Sequence, residues 1–204
     1  MKKLTQENHM FQQMRKAALE RLHGCDPVKI ASRTGIFFDQ SDSLFHLTSL
    51  GNEIRVHFPD FRTEGTEDEW HKLVLLHYMD MADGTPLTGQ LIPFGELPQG
   101  MIRGGGFDRD SERSLGEIFG EISAEDAEEI CRKLGAEIIP SKADFSARFF
   151  FFPHYPVTMN LWLPDEEFPG TGKLLLDSSA GHYLSVEDSV TVGELLLKRL
   201  EQGL

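Results

Sequence analysis

The stretch FSARFFFFPHYPVTMNLWL, residues 145–163, decides the fold. Residues 145–152 and 157–163 read as two strands, and Pro153-His154-Tyr155-Pro156 joins them, because a proline has no N–H to give to the interior of a ladder. The result is a hairpin. On either side, residues 136–139 before it and 173–177 after it read as further strands. Upstream, the runs 36–39, 44–48 and 53–58 are separated by Asp/Ser and Gly51-Asn52 turn signals and predict an antiparallel meander. Residues 87–94 read as one more strand, followed by a Gly/Pro-rich crossing over 95–106.

The helices announce themselves by spacing and caps. Leu4, Met10, Phe11, Met14, Ala17, Ala18 and Leu22 recur at helical intervals and predict an amphipathic helix over 5–22. Asp26-Pro27 is an N-cap followed by proline at the first helical position, opening a short helix that Thr34-Gly35 ends. Thr66-Glu67-Asp68-Glu69 reads as a capping box for a helix over 67–80 whose Trp70, Leu73, Val74, Leu75 and Leu76 make it apolar nearly all round. Ser123 caps a helix over 124–134. Ser185 caps a terminal helix with a stripe of Val190, Gly193, Leu196, Leu197 and Leu200. Helices and strands mix without regular alternation, so the expected class is α+β, with a mainly antiparallel sheet, N-terminal helices and a C-terminal helix. One domain over residues 1–204 is the simplest organisation, with 1–34 as a helical appendage.

Composition bounds the partners. The chain has 204 residues and a net charge of −13, which disfavours a nucleic-acid backbone and an anionic membrane as partners. The charge is uneven: residues 1–33 hold seven Lys/Arg and three Asp/Glu, a net of +4, leaving −17 for the rest. No run of apolar residues is long enough to span a bilayer, and MKKLTQENHM is too polar to lead into a signal-peptide core, so the expected location is cytoplasmic. Cys25 and Cys131 lie far apart outside any Cys-x-x-Cys pair, which excludes a disulfide framework, a zinc knuckle or an iron–sulfur cluster carried by this chain alone. Cys131 falls on the apolar face of its helix and reads as a core residue.

Motifs that invite chemistry mostly fail on inspection. Gly170-Thr171-Gly172-Lys173 lacks the first glycine and the Ser/Thr of a phosphate loop, and a strand follows where a helix is required. Gly104-Gly105-Gly106 after Arg103 does not complete a dinucleotide fingerprint and reads as a turn or bulge with positive φ. No Gly-x-Ser-x-Gly elbow is present. No histidine pair has metal-ligand spacing, and His71 and His77, six apart on one helix, point about 120 degrees from each other. His77 falls on the stripe with Trp70, Leu73 and Val74 and reads as a hydrogen-bonded core histidine. No resident metal is expected, and no cofactor is identified.

The richest region is 164–188. It holds Asp165, Glu166, Glu167, Asp177, His182, Tyr183, Glu187 and Asp188, a set that a fold can gather for acid–base work or recognition. The alternative is that Asp165, Glu166 and Glu167 occupy a solvated turn between two strands. Asp165, Glu166, Glu167, Asp177 and His182 are the candidate functional cluster.

LWLPDEEFPGTGKLLLDSSAGHYLSVED, with LLHYMDMADGTPLTGQLIPFGELPQG upstream, resembles a family of uncharacterised proteins from anaerobic bacteria and methanogens, domain of unknown function 3786. The likeness runs in order from Asp26-Pro27 through Leu75-Leu76-His77-Tyr78 to His182-Tyr183-Leu184. The family brings no established activity. Some relatives resemble fusions to a cysteine-rich iron–sulfur module, which implies a setting in anaerobic metal or one-carbon metabolism, with any iron–sulfur or corrinoid partner a separate protein. The expected function is therefore a cytoplasmic accessory or ligand-binding protein of anaerobic metabolism, taking a small-molecule ligand or a protein partner. The alternatives are a hydrolase-type enzyme using residues 165–188, with or without a divalent metal, and a homo-oligomeric structural domain whose Phe-rich strands supply the interface.

Overall fold

The structure, a computed structural model, describes residues 2–164 and 169–203. Among these residues the chain forms six α-helices and nine strands, an α+β fold in which every strand pair is antiparallel. The order is α1 (Lys2–Leu22), α2 (Pro27–Thr34), β1 (Phe37–Asp39), β2 (Leu44–Ser49), β3 (Asn52–His57), β4 (Thr63–Glu64), α3 (Glu69–Met81), β5 (Leu91–Ile92), α4 (Arg103–Phe119), α5 (Ala124–Lys133), β6 (Glu137–Ile138), β7 (Phe145–Phe152), β8 (Tyr155–Trp162), β9 (Thr171–Asp177) and α6 (Val186–Gln202). The strands divide into two sheets rather than one, β1-β2-β3-β4 and β5-β9-β8-β7-β6.

β7 and β8 form the hairpin expected from residues 145–163. Its turn is tighter than the sequence suggests: Phe152 pairs with Tyr155, leaving only Pro153 and His154 outside the ladder, and Pro156 pairs with Phe150. The register slips at Phe151 between those pairs, and such a bulge is where a strand tolerates a residue without an N–H. Phe149, Phe151, Phe152, Val157 and Met159 are fully shielded from solvent. Burial of each such side chain is worth roughly 1.5–3 kcal/mol, so this hairpin is the centre of the core. The Leu50 N–H donates to the Phe150 carbonyl across 3.3 Å, a main-chain link between the two sheets.

The caps set the helix positions. Asp26 accepts from the Val28 N–H at 2.9 Å, and Gly35 ends α2 in the left-handed conformation at φ 70°. Ser123 and Ser185 cap α5 and α6 by accepting from the Asp126 and Asp188 N–H groups. α3 departs from the expected capping box: Asp68 is its cap, with Oδ1 accepting from the N–H groups of Trp70 at 3.1 Å and His71 at 3.3 Å. Trp70 is half exposed, so α3 is not apolar all round in its surroundings.

The largest departure is α4. Gly104, Gly105 and Gly106 form its first turn and none has a positive φ, whereas the sequence suggests a crossing with a turn or bulge there. Phe107, Ser111, Leu115, Ile118 and Phe119 then recur on one buried face. A Cβ on Gly104 would stand 2.2 Å from the Phe94 carbonyl oxygen, so the missing side chain lets α4 start directly against the 3-10 turn Phe94–Glu96. Asp108 closes the corner by accepting from the Phe94 and Gly95 N–H groups, both at 2.9 Å. The strand expected over 87–94 is correspondingly short, because Phe94 already belongs to that turn.

The buried side chains form one continuous cluster, to which α1 contributes Ala18 and Leu22. α1 lies along α3, with the Arg21 guanidinium 2.6 Å from an Asp80 carboxylate oxygen. Cys131 is buried, and burial pushes its thiol up to about 12. Among the described residues, no helix is long and apolar enough to cross a membrane.

Candidate functional site

Asp177 ends β9 and is buried. Its carboxylate takes five donated hydrogen bonds. Four reach Oδ1, from the N–H and hydroxyl of Thr88 at 3.0 and 2.9 Å and those of Ser179 at 3.0 and 2.7 Å; the Gly89 N–H reaches Oδ2 at 2.7 Å. Burial alone would raise the pKa of this group, but the donors from Thr88, Ser179 and Gly89 together outweigh it and hold the carboxyl down to about 2. This geometry ties the segment before β5 to the turn after β9.

His182 closes the 3-10 turn Ala180–His182 and is exposed, with Nδ1 2.8 Å from Asp83 Oδ2. Hydrogen bonds from Thr85 and then His182 draw the Asp83 carboxyl down to about 2. Next to it the buried Tyr183 hydroxyl donates to the Thr85 carbonyl and lies 3.2 Å from His154 Nδ1. Residues 83–89 are thus pinned at three places. Asp165, Glu166 and Glu167 lie outside the described residues. Gly170 to Lys173 enter β9, where Gly172 makes room for Leu115 of α4.

Glu187 and Asp188 belong to a different neighbourhood. Asp188, in the first turn of α6, accepts from Ser185 and stands 2.7 Å from Nδ1 of His77, confirming His77 as a hydrogen-bonded histidine, though a partly exposed one. The fully packed imidazole of α3 is His71 instead. Its Nε2 is 2.9 Å from Ser49 Oγ, and burial lowers its pKa to about 4.

Beside Asp188 a groove of about 600 Å³ opens between three helices. Met10 and Met14 of α1, Trp70 and Leu73 of α3 and Leu195 of α6 form its floor. Its charges are paired across elements: Lys198 with Asp68 at 2.9 Å, and Arg103 with both Glu187 and Glu194 at 3.2 Å. A second groove of about 570 Å³ adjoins it, sharing Arg103 and Glu187 and walled by Met81, Leu97, Ile102, Gly181, Leu184 and Val186. The Asp177-anchored turn therefore reaches the second groove through Gly181, while neither Asp177 nor His182 lines it. Sequence reasoning singled out Arg103, Glu187 and Asp188 but not this meeting of helices. The only advance signal was the placement of Met10, Met14 and Trp70 on helical stripes, where a buried and a half-exposed position look alike.

Among the described residues, no group of three or more His, Cys, Asp or Glu side chains is arranged to hold a metal ion. No curated protein and no solved structure matches the chain. The family model described as Domain of unknown function (DUF3786) matches residues 26–199, a span that takes in all of the fold except α1 and the end of α6. Matched over most of its length, the chain belongs to the DUF3786 family.

Proposed function

We propose that this is a ligand-binding accessory protein whose recognition surface is the groove between α1, α3 and α6. The observation that carries this reading is an apolar floor left open to solvent on a packed framework. Methionines and an edge-on Trp70, held by the Phe11 ring at 5.2 Å, make a surface that adapts to its ligand. Asp177 and His182 serve it by fixing the turn that walls the second groove. A cytoplasmic setting in anaerobic metabolism belongs to the same proposal and rests on the family resemblance.

Titration with the neutral solvatochromic dye Nile red tests the site. Saturable, blue-shifted emission that is lost in Leu195→Glu is expected, because a carboxylate on the floor makes it polar. Equal emission from the variant and the parent chain would place the dye elsewhere and refute the site.

A hydrolase reading has one observation in its favour, the Asp188–His77 pair, in which a carboxylate orients an imidazole as in a general base. A screen of p-nitrophenyl esters and phosphates decides it. Turnover that disappears in His77→Gln is the result the hydrolase reading needs.

A further inference from the structure

The two grooves form one trough. Glu187, Asp188, Thr191, Glu194, Leu195 and Lys198 recur at helical spacing, so one face of α6 runs along the first groove, and Ser185, Val186 and Glu187 carry that wall into the second. From Ser185 to Lys198 the α6 wall extends for about 20 Å at 1.5 Å per residue. Its floor is apolar at both ends and exposed: Met10 is 55% and Trp70 46% accessible at one end, Met81 41% and Ile102 84% at the other. Single exposed apolar residues need no explanation, but four lining one trough, Met10, Trp70, Met81 and Ile102, do.

The charges on the walls select the occupant. Asp68, Glu187, Asp188 and Glu194 face Arg103 and Lys198, four carboxylates against two cations, on a chain whose net charge is −13. An anionic ligand is repelled by this arrangement, and a neutral one gains nothing from it. Arg103 stands at the junction of the two grooves, held by Glu187 and Glu194, so a cation from an incoming ligand can compete for either carboxylate without stripping Arg103 of both. A long, adaptable apolar floor with acidic walls is the complement of an amphipathic helix bearing basic residues on its flanks.

We propose that the trough along α6 docks a basic amphipathic helix of a partner protein, about 14 residues long, the number that spans 20 Å at helical rise. This rests on the binding reading of the same groove and names its partner class. Leucine, isoleucine or methionine at i, i+3, i+4 and i+7 of the partner fill the floor, and its lysines and arginines meet Asp68, Glu187 and Glu194. Opposite net charges steer the encounter, so association weakens with salt.

The test uses the full chain and two synthetic 16-residue helical peptides with the same leucine positions, one with lysine and the other with glutamate at every remaining site. The lysine peptide is expected to bind at least tenfold more tightly than the glutamate peptide at low salt, to lose affinity as salt rises and to displace Nile red. Leu195→Asp should abolish binding, and Glu194→Lys should weaken the lysine peptide about tenfold while strengthening the glutamate peptide. Lysine-peptide binding that is unchanged in both variants overturns the proposal, since it reflects attraction to the acidic body at large. Nile red in the groove without peptide binding also overturns it while leaving the small-ligand reading intact. Light scattering that shows a dimer dispersed by Leu195→Asp overturns it in favour of a second copy of this chain. Absence of both dye and peptide from the groove removes the binding reading itself.

Discussion

His71, in the first turn of α3, has Ser49 Oγ 2.9 Å from its Nε2 and the Phe151 ring centroid 4.8 Å away. Burial depresses its pKa from 6.5 to about 4, so between those values the unfolded chain binds a proton that the folded one refuses. Stability from this group is complete above pH 6.5 and declines as the pH falls, by roughly 3 kcal/mol between pH 7 and pH 4. Urea titrations at pH 7 and pH 4.5 should show the decline, and His71→Asn should flatten it; an equally steep loss in the variant assigns the titration to another group. Asp177 has the same sign over a more acidic range. Its carboxyl is depressed to about 2 from 3.8, so its contribution is present above 3.8 and disappears only as the pH falls through 2. Asp177→Ala leaves the Thr88, Gly89 and Ser179 N–H groups without their acceptor, and a loss of roughly 3 kcal/mol is expected because hydrogen bonds to charged acceptors are the strong class. Hydrogen exchange at Thr88 and Gly89 should accelerate in that variant, and unchanged protection there would show that the segment is held by other contacts.

At the scale of elements, α4 gives the clearest test because three consecutive glycines in one helical turn meet different surroundings. Gly104 faces the Phe94 carbonyl at 2.2 Å from any added Cβ, a main-chain neighbour that cannot turn aside, whereas nothing stands within 4 Å of a Cβ on Gly105 or Gly106. Gly104→Ala should therefore destabilise the protein by roughly 2 kcal/mol, a typical overpacking loss. Gly105→Ala and Gly106→Ala should each stabilise it by about 0.5–1 kcal/mol, the propensity gain in a helix. Thermal melts of the three variants separate steric contact from backbone entropy, and equal shifts of one sign in all three would contradict the close approach at Phe94. The same logic of approach holds between the sheets, where Gly51 at the β2–β3 turn and Gly135 after α5 both have positive φ and a Cβ on Gly135 would lie 2.9 Å from the Gly51 Cα.

For the molecule as a whole, two small sheets and six helices among the described residues share one apolar cluster, with α1 entering it through Ala18 and Leu22. Unfolding is expected as one cooperative transition, with near-ultraviolet and far-ultraviolet circular dichroism changing together. A separate early loss of helix signal would instead mark residues 1–34 as an appendage. The asymmetry of charge acts at this scale too. The acidic body meets a net-positive N-terminal segment whose Met10 and Met14 complete the groove, so the segment that carries the opposite charge also supplies two of the five apolar floor residues.

Phe145 to Leu163, with two prolines between two apolar runs, was enough to write an antiparallel hairpin, and the serines and aspartates before α2, α5 and α6 marked where those helices begin. Such signals are local: a missing N–H, a side-chain acceptor at a helix start and the period of apolar residues act within a few positions of themselves. α4 as a whole was hidden for the converse reason, since three glycines make a helix start locally unfavourable and the close approach of Gly104 to Phe94, with the Asp108 carboxylate on the Phe94 and Gly95 N–H groups, makes one fit. The candidate site divides along the same line. Asp177, His182, Glu187 and Asp188 were visible as chemistry, but their separation into a loop anchor and a groove wall depends on which donors surround each carboxylate. Those donors lie as far as 111 residues away, in His77 for Asp188 and in Thr88 and Gly89 for Asp177. Local sequence specified most of the element types, though not α4, together with the acidic charge and the absence of the familiar catalytic motifs. Packing alone brings Met10, Met14, Trp70 and Leu195 together in one open groove, because burial is a property of what packs against a side chain and not of the side chain.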